Sequence, residues 1–271
     1  MKKRKNIRYV DRRIYQSENY LDIQIFPAFA KACKRGKKRR PTGEMQKKLN
    51  ENNSTYKLIR LANHNFKKGD YAVHLTYDDF HLPQDEESAR RDIQNFIRRI
   101  KRICAKKDVV LKYIWTAAKG KKLGRIHFHM IMSRGISDEE IQTAWGKGYA
   151  HTTYLRFAKD GIAGFSKYFK QQNKMLYRAW SASKNLERPE NEDLKIKTDD
   201  VIGFFEEYTN SYKHPVLEQY YPGYEVVSMY ADKNDIVGGI YIMARLCRVK
   251  GKYCDENEEA EQISLFDLWD T

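Results

Sequence analysis

The chain has little cysteine: Cys33, Cys104, Cys247 and Cys254 are the only four in 271 residues, and no two form a C-x-x-C pair. Such scattered thiols indicate neither a disulfide framework nor a cysteine zinc site, so reduced cysteines are expected. Long apolar runs are missing too, since no stretch approaches the roughly 20 residues that span a bilayer. The basic start MKKRKNIRYVDRR is not followed by the apolar stretch of a signal peptide. A cytoplasmic location without a membrane partner is the expectation. There is no internal repeat, and no G-x-x-x-x-G-K-[ST] phosphate loop, so a built-in nucleotide-driven helicase is not indicated.

What is abundant is positive charge. Fifty-one Lys and Arg stand against 36 Asp and Glu, a formal +15, which favours a polyanionic partner through release of phosphate counterions. Nucleic acid is the natural candidate, and a membrane surface the weaker one. The excess is uneven: Lys31 to Arg40 (KACKRGKKRR) is densely basic, whereas Asp255 to Glu261 (DENEEAE) is acidic. With 41% hydrophobic residues the chain can nonetheless bury a real core.

Residues 1–43 mix basic and scattered apolar positions and end in Arg40-Pro41-Thr42-Gly43, as a loosely held arm does. From Glu44 the spacing of Met45, Leu49, Tyr56, Ile59 and Phe66 predicts one helix, or two if Asn50 to Ser54 interrupts. After Gly69-Asp70, Tyr71 to Tyr77 alternates with a period of two, the mark of a strand. Ala89, Ile93, Phe96, Ile97, Ile100 and Cys104 fall at helical spacing. Strands are predicted over Val109 to Thr116, Ile126 to Met132 and Tyr149 to Phe157, with a short helix capped by Ser137 and Glu140 between the last two. Asp160 can cap a helix running to about Tyr177. Ser181 to Lys197 reads as polar linker, Thr198 to Tyr208 as helix, and Tyr224 to Arg248 as a hairpin around Lys233-Asn234-Asp235. This irregular mixture favours an α+β class with an antiparallel sheet over a doubly wound parallel one.

The chemistry concentrates in Gly124-Arg125-Ile126-His127-Phe128-His129-Met130-Ile131-Met132. Side chains alternate along a strand, so His127 and His129 share one face while Phe128 and Met130 point into the core. The two imidazoles can converge on one ion at about 2.1 Å. A bare His-x-His has modest weight, since two histidines on a solvated strand face can be idle. Downstream, Tyr168 sits beside the apolar stripe Ile162, Phe165, Phe169 of the Asp160 helix, and Gly161 and Gly164 leave backbone room near it.

Taken together, His127-Phe128-His129 followed some forty residues later by Lys167-Tyr168 resembles the HUH endonucleases, specifically the rolling-circle replication initiators with a single catalytic tyrosine. The likeness runs from Gly69 to about Pro189 and includes Val73-His74-Leu75-Thr76. It implies the HUH nuclease fold, an antiparallel sheet of about five strands with packed helices. His127 and His129 would hold Mg²⁺ or Mn²⁺. Tyr168, with Lys167 beside it, would attack single-stranded origin DNA, take the 5′ phosphate and free a 3′ hydroxyl. An acidic third ligand is usual in such sequences, and the matching position here is Ala118. Either alanine replaces that ligand, or the register differs, or His74, Asp78 or Glu86 contributes. Arg125, Lys119, Lys121, Lys122 and Lys170 surround these motifs and can neutralise phosphates, while exposed tyrosines can stack on unpaired bases.

At the C-terminal end, Gln262-Ile263-Ser264-Leu265-Phe266 resembles the short peptide by which bacterial proteins bind the replicative sliding clamp. Gln262, Ser264, Leu265 and Phe266 are the contact candidates; an amphipathic segment folded back on the protein is the alternative. The expected organisation is a basic, partly helical extension over 1–68, a nuclease core over 69–189, a C-terminal extension over 190–250 packing on that core, and an acidic tail over 251–271. A host helicase would supply unwinding. The competing readings are a non-catalytic DNA-binding regulator with the same fold, and a relaxase or single-tyrosine transposase.

Overall fold

A computed structural model describes residues 7–28, 44–120, 124–162, 180–233 and 239–249, with backbone alone over 44–52. The class is α+β, as expected: two antiparallel five-stranded sheets with five helices among the described residues. No helix among them is long and apolar enough to cross a membrane. The chain divides into two compact units, one of residues 1–48 and 188–254, the other of residues 49–187 and 255–271.

In the first unit the sheet order is β8-β1-β2-β10-β9. The N-terminal segment that reads as a loose arm is instead a hairpin, β1 (Tyr9–Gln16) and β2 (Tyr20–Pro27), paired along its full length. β8 (Glu190–Ile196) closes one edge on β1, within the stretch that reads as polar linker. β9 (Tyr224–Lys233) and β10 (Ile240–Arg248) form the expected hairpin; its turn lies outside the described residues. Two helices, α4 (Thr198–Asn210) and α5 (Pro215–Tyr220), supply Val201, Phe204 and Leu217 to a core shared with Leu21, Ile23, Ile25, Ile242 and Leu246. Residues 190–250 therefore build a sheet and core of their own together with the N-terminal hairpin. Cys247 is disulfide-bonded, contrary to the reduced state expected of all four thiols, whereas Cys104 is free and buried.

The second unit holds the His-x-His strand. Its sheet order is β6-β3-β5-β4-β7, formed by β3 (Tyr71–Tyr77), β4 (Tyr113–Lys119), β5 (Ile126–Met132), β6 (Gly148–Tyr154) and β7 (Ser181–Ala182). One face is the main core. Val73, Leu75 and Tyr77 of β3 and Phe128, Met130 and Met132 of β5 pack with Ala89, Ile93, Phe96 and Ile100 of α2 (Glu86–Lys106). The stripe on α2 works because Asp85 caps its first turn, accepting from the Ser88 N–H at 2.6 Å. α3 (Asp138–Trp145) carries the expected capping box of Ser137 and Glu140 and adds Ile141, Ala144 and Trp145 to the same core.

α1 runs unbroken over Glu44–Asn65, so Asn50 to Ser54 does not interrupt it. Its buried Asn63 accepts the Ile162 N–H at 3.0 Å. Gly161 sits against that carboxamide with φ +73, and an added Cβ would overlap the Asn63 side chain. The missing side chain thus makes room for Asn63 and the left-handed turn, a packing reason in place of the expected clearance for DNA. Asp160 and Gly161 lie in a turn bridged between Ala158 and Gly161. The helix expected to follow, and with it Lys167, Tyr168 and Lys170, lies outside the described residues, as do Lys121, Lys122 and the tail residues Gln262, Ser264, Leu265 and Phe266.

Candidate metal centre

The sheet face opposite the main core carries three histidines. β5 contributes His127 and His129, and β3, its neighbour, contributes His74 directly across from His129, with Thr76 across from His127. Paired residues on neighbouring strands share a face, so strand parity on β3 and register between the strands set the cluster together. All three are buried: 3% of His74, 5% of His127 and 1% of His129 remains exposed.

The rings stand close. The His74 and His129 centroids are 4.7 Å apart with planes only 16° from parallel. Each lies 5.0 Å from His127 in an edge-on arrangement. One nitrogen from each ring lies within 4.8 Å of the others, the only such group of His, Cys, Asp or Glu among the described residues. Small side-chain rotations bring nitrogens at that separation onto one ion at about 2.1 Å. His127 Nδ1 lies 3.4 Å from the Arg125 carbonyl oxygen. A carbonyl can only accept, so this long contact favours the proton on Nδ1 and leaves Nε2 as the ligating atom.

Electrostatics favour the same use. Burial, with the neighbouring His127 and His151, pushes the His74 pKa down to about 3. Burial, with His74 and His127, holds His129 well below its ordinary value. Both are neutral at pH 7 and present lone pairs, the state that a divalent ion requires. Three neutral imidazoles on adjacent rigid strands therefore fit a metal.

The other expected residues are placed as follows. Ala118 is fully buried on β4 directly opposite His127, so it occupies the flank of the histidine pair that the resemblance suggested, without a ligating atom. Of the three named substitutes, only His74 joins the pair. Asp78 accepts from the His81 ring at 2.7 Å and from the Phe80 and His81 N–H groups at 3.1 and 3.0 Å. Glu86 pairs with Lys119 at 3.4 Å. Arg125 pairs with Asp79 at 2.6 Å. These two cations stand at the end of the β4–β5 ladder beside the histidines, half-exposed and matched by single carboxylates. Sequence reasoning under-weighted two neighbours: His74 itself, and His151 on β6, exposed and directly across from His74. The only signal for His74 was its parity within the Tyr71 to Tyr77 alternation.

A buried three-histidine cluster on the central strands of an antiparallel α+β sheet defines a metal-centred domain of the replication-initiator type. Residues 70–173 match the family model of the replication-associated protein ORF2, and this part of the chain belongs to that rolling-circle family. No curated protein and no solved structure matches the chain.

Proposed function

We propose that the protein is a rolling-circle replication initiator that nicks single-stranded origin DNA and can rejoin it. The single observation that carries the reading is the buried His74, His127 and His129 cluster inside the family-matched segment. A bound divalent ion would polarise the scissile phosphate, which a phenol with an ordinary pKa near 10 needs at pH 7. His74, His127 and His129 hold that ion. The Tyr168 oxygen forms a bond to phosphorus as the bond from phosphorus to the 3′ oxygen breaks. The phenol proton leaves to solvent or a nearby base, and the departing oxygen becomes a 3′ hydroxyl. The 5′-phosphotyrosine conserves the phosphodiester energy for rejoining. Lys167 neighbours the nucleophile in sequence and neutralises phosphate charge, with Lys119, Lys121, Lys122, Arg125 and Lys170 as further phosphate contacts. Tyr149, 73% exposed and across β3 from Thr76, offers a ring on which an unpaired base can stack.

Gln262, Ser264, Leu265 and Phe266 recruit the bacterial sliding clamp, which delivers a polymerase to the new 3′ end, and a host helicase opens the duplex. Incubating labelled single-stranded origin DNA with the protein and Mn²⁺ tests the chemistry. The reading expects a covalent protein–DNA adduct that disappears in Tyr168→Phe. An adduct that persists in that variant would overturn it. Complete absence of an adduct with the native origin would favour the second reading, a DNA-binding regulator, which the alanine at position 118 supports.

A further inference from the structure

We infer that the centre is a carboxylate-free three-histidine site that selects Zn²⁺ or Co²⁺ over Mg²⁺, and that position 118 sets this preference. The inference rests on the metal-centre reading above and sharpens it to a class of ion.

The donor set decides the matter. Mg²⁺ is a hard cation that retains water and is normally held through one or more carboxylates. Imidazole nitrogen suits the later first-row ions, whose affinities rise from Mn²⁺ through Co²⁺, with Zn²⁺ also tightly held. Here the three ligands are all uncharged nitrogens, and no Asp or Glu among the described residues joins the group. The nearby carboxylates are engaged elsewhere: Asp78 with His81, Asp79 with Arg125, Glu86 with Lys119. On the flank of the site, Thr116 opposite His129 offers only a neutral hydroxyl, and Ala118 opposite His127 offers nothing.

Ala118 and His74 lie on the two strands that flank β5, one on each side of the His-x-His pair. The count of three protein ligands is complete through β3, while the β4 flank, where an acid would stand about 5 Å from the His127 Cβ, is filled by a methyl group. The site thus keeps its ligand number and carries one negative charge fewer than a two-histidine, one-carboxylate centre. That loss penalises the hard, strongly hydrated Mg²⁺ most.

The full-length protein, stripped of metal, is titrated calorimetrically with Mg²⁺, Mn²⁺, Co²⁺ and Zn²⁺, and the visible spectrum of the Co²⁺ form is recorded. Zn²⁺ and Co²⁺ are expected to bind more tightly than Mg²⁺ by a factor on the order of 100, a span comparable to the loss of one supporting partner at a metal site. Ala118→Glu is expected to narrow that gap about tenfold or more. Because position 118 is buried, His74→Glu serves as a second variant that introduces a carboxylate at unchanged ligand number; it should narrow the gap likewise, with circular dichroism confirming its fold. Equal affinity of the unmodified protein for Mg²⁺ and Zn²⁺ would overturn the inference while leaving the metal centre standing. A Co²⁺ spectrum unchanged in a His74→Ala, His127→Ala, His129→Ala triple variant would overturn it too, by placing the ion elsewhere. Failure of every ion to bind would remove the metal centre itself.

Discussion

Trp145→Phe isolates a connection between the main core and the strand that carries His74. The Trp145 indole is fully buried on α3, with its centroid 5.1 Å from Tyr77 and 5.9 Å from both Phe96 and Phe128. Its Nε1–H donates to the Thr76 carbonyl at 2.8 Å, and Thr76 is the β3 residue across from His127. Phenylalanine keeps an aromatic ring but has no donor, so the carbonyl loses a partner, a loss of about 1–3 kcal/mol when buried. The smaller ring leaves a void, adding roughly 1–2 kcal/mol, below the 3–5 of a full truncation to alanine. The sum is about 2–5 kcal/mol, a large part of a typical domain's stability. Urea denaturation followed by far-ultraviolet circular dichroism measures it without relying on indole emission, which the substitution itself alters. Trp145→Leu should lose at least as much. A loss under about 0.5 kcal/mol, the range of ordinary surface changes, would refute the reasoning.

Two further substitutions probe the strands around the site and the second sheet. Gly148→Ala should destabilise the second unit by more than about 2 kcal/mol, since φ is +143 and the added Cβ would overlap the backbone of Thr76, Tyr77 and Asp78. Proteolysis of the β3–β6 edge reads this directly, and an unchanged cleavage rate would contradict the packing. Arg12→Ala removes the two 2.7 Å contacts that tie β1 to Asp193 on β8. Both partners are about a third or more exposed, so less than about 1 kcal/mol is expected, shrinking further as salt screens the pair. A salt-independent loss in urea melts would show that something other than the ion pair had been disturbed.

The elements with a clear apolar period were legible from sequence: β3, β5, the stripe of α2 and the Ser137 cap all stand where their residues put them. The misreadings share a cause. β1 and β2 bury Asp11, Gln16 and Asp22 beside their apolar residues, so polarity does not mark their inward face, and adjacent Arg12 and Arg13 imitate a basic arm. β8 is an edge strand whose side chains are almost all exposed; only its pairing with β1 makes it a strand. The same limit governs the site. His127 and His129 are two residues apart and declare themselves, but His74 reaches them across strands separated in sequence by α2 and β4. Parity gave its face; only the β3–β5 register gives its partners. Ala118 was placed correctly beside the pair because β4 and β5 form a simple hairpin, whose register a sequence can suggest.

The central claim, that the three-histidine face serves a tyrosine that joins DNA, is tested most directly by mapping the adduct. Protein incubated with single-stranded origin DNA and a divalent ion is digested with nuclease and protease, and the modified peptide is sequenced by mass spectrometry. The account predicts a nucleotide phosphate on Tyr168, and none in protein carrying His74→Ala or His129→Ala. A phosphate on another tyrosine, or equal modification of Tyr168 in the histidine variants, would contradict it.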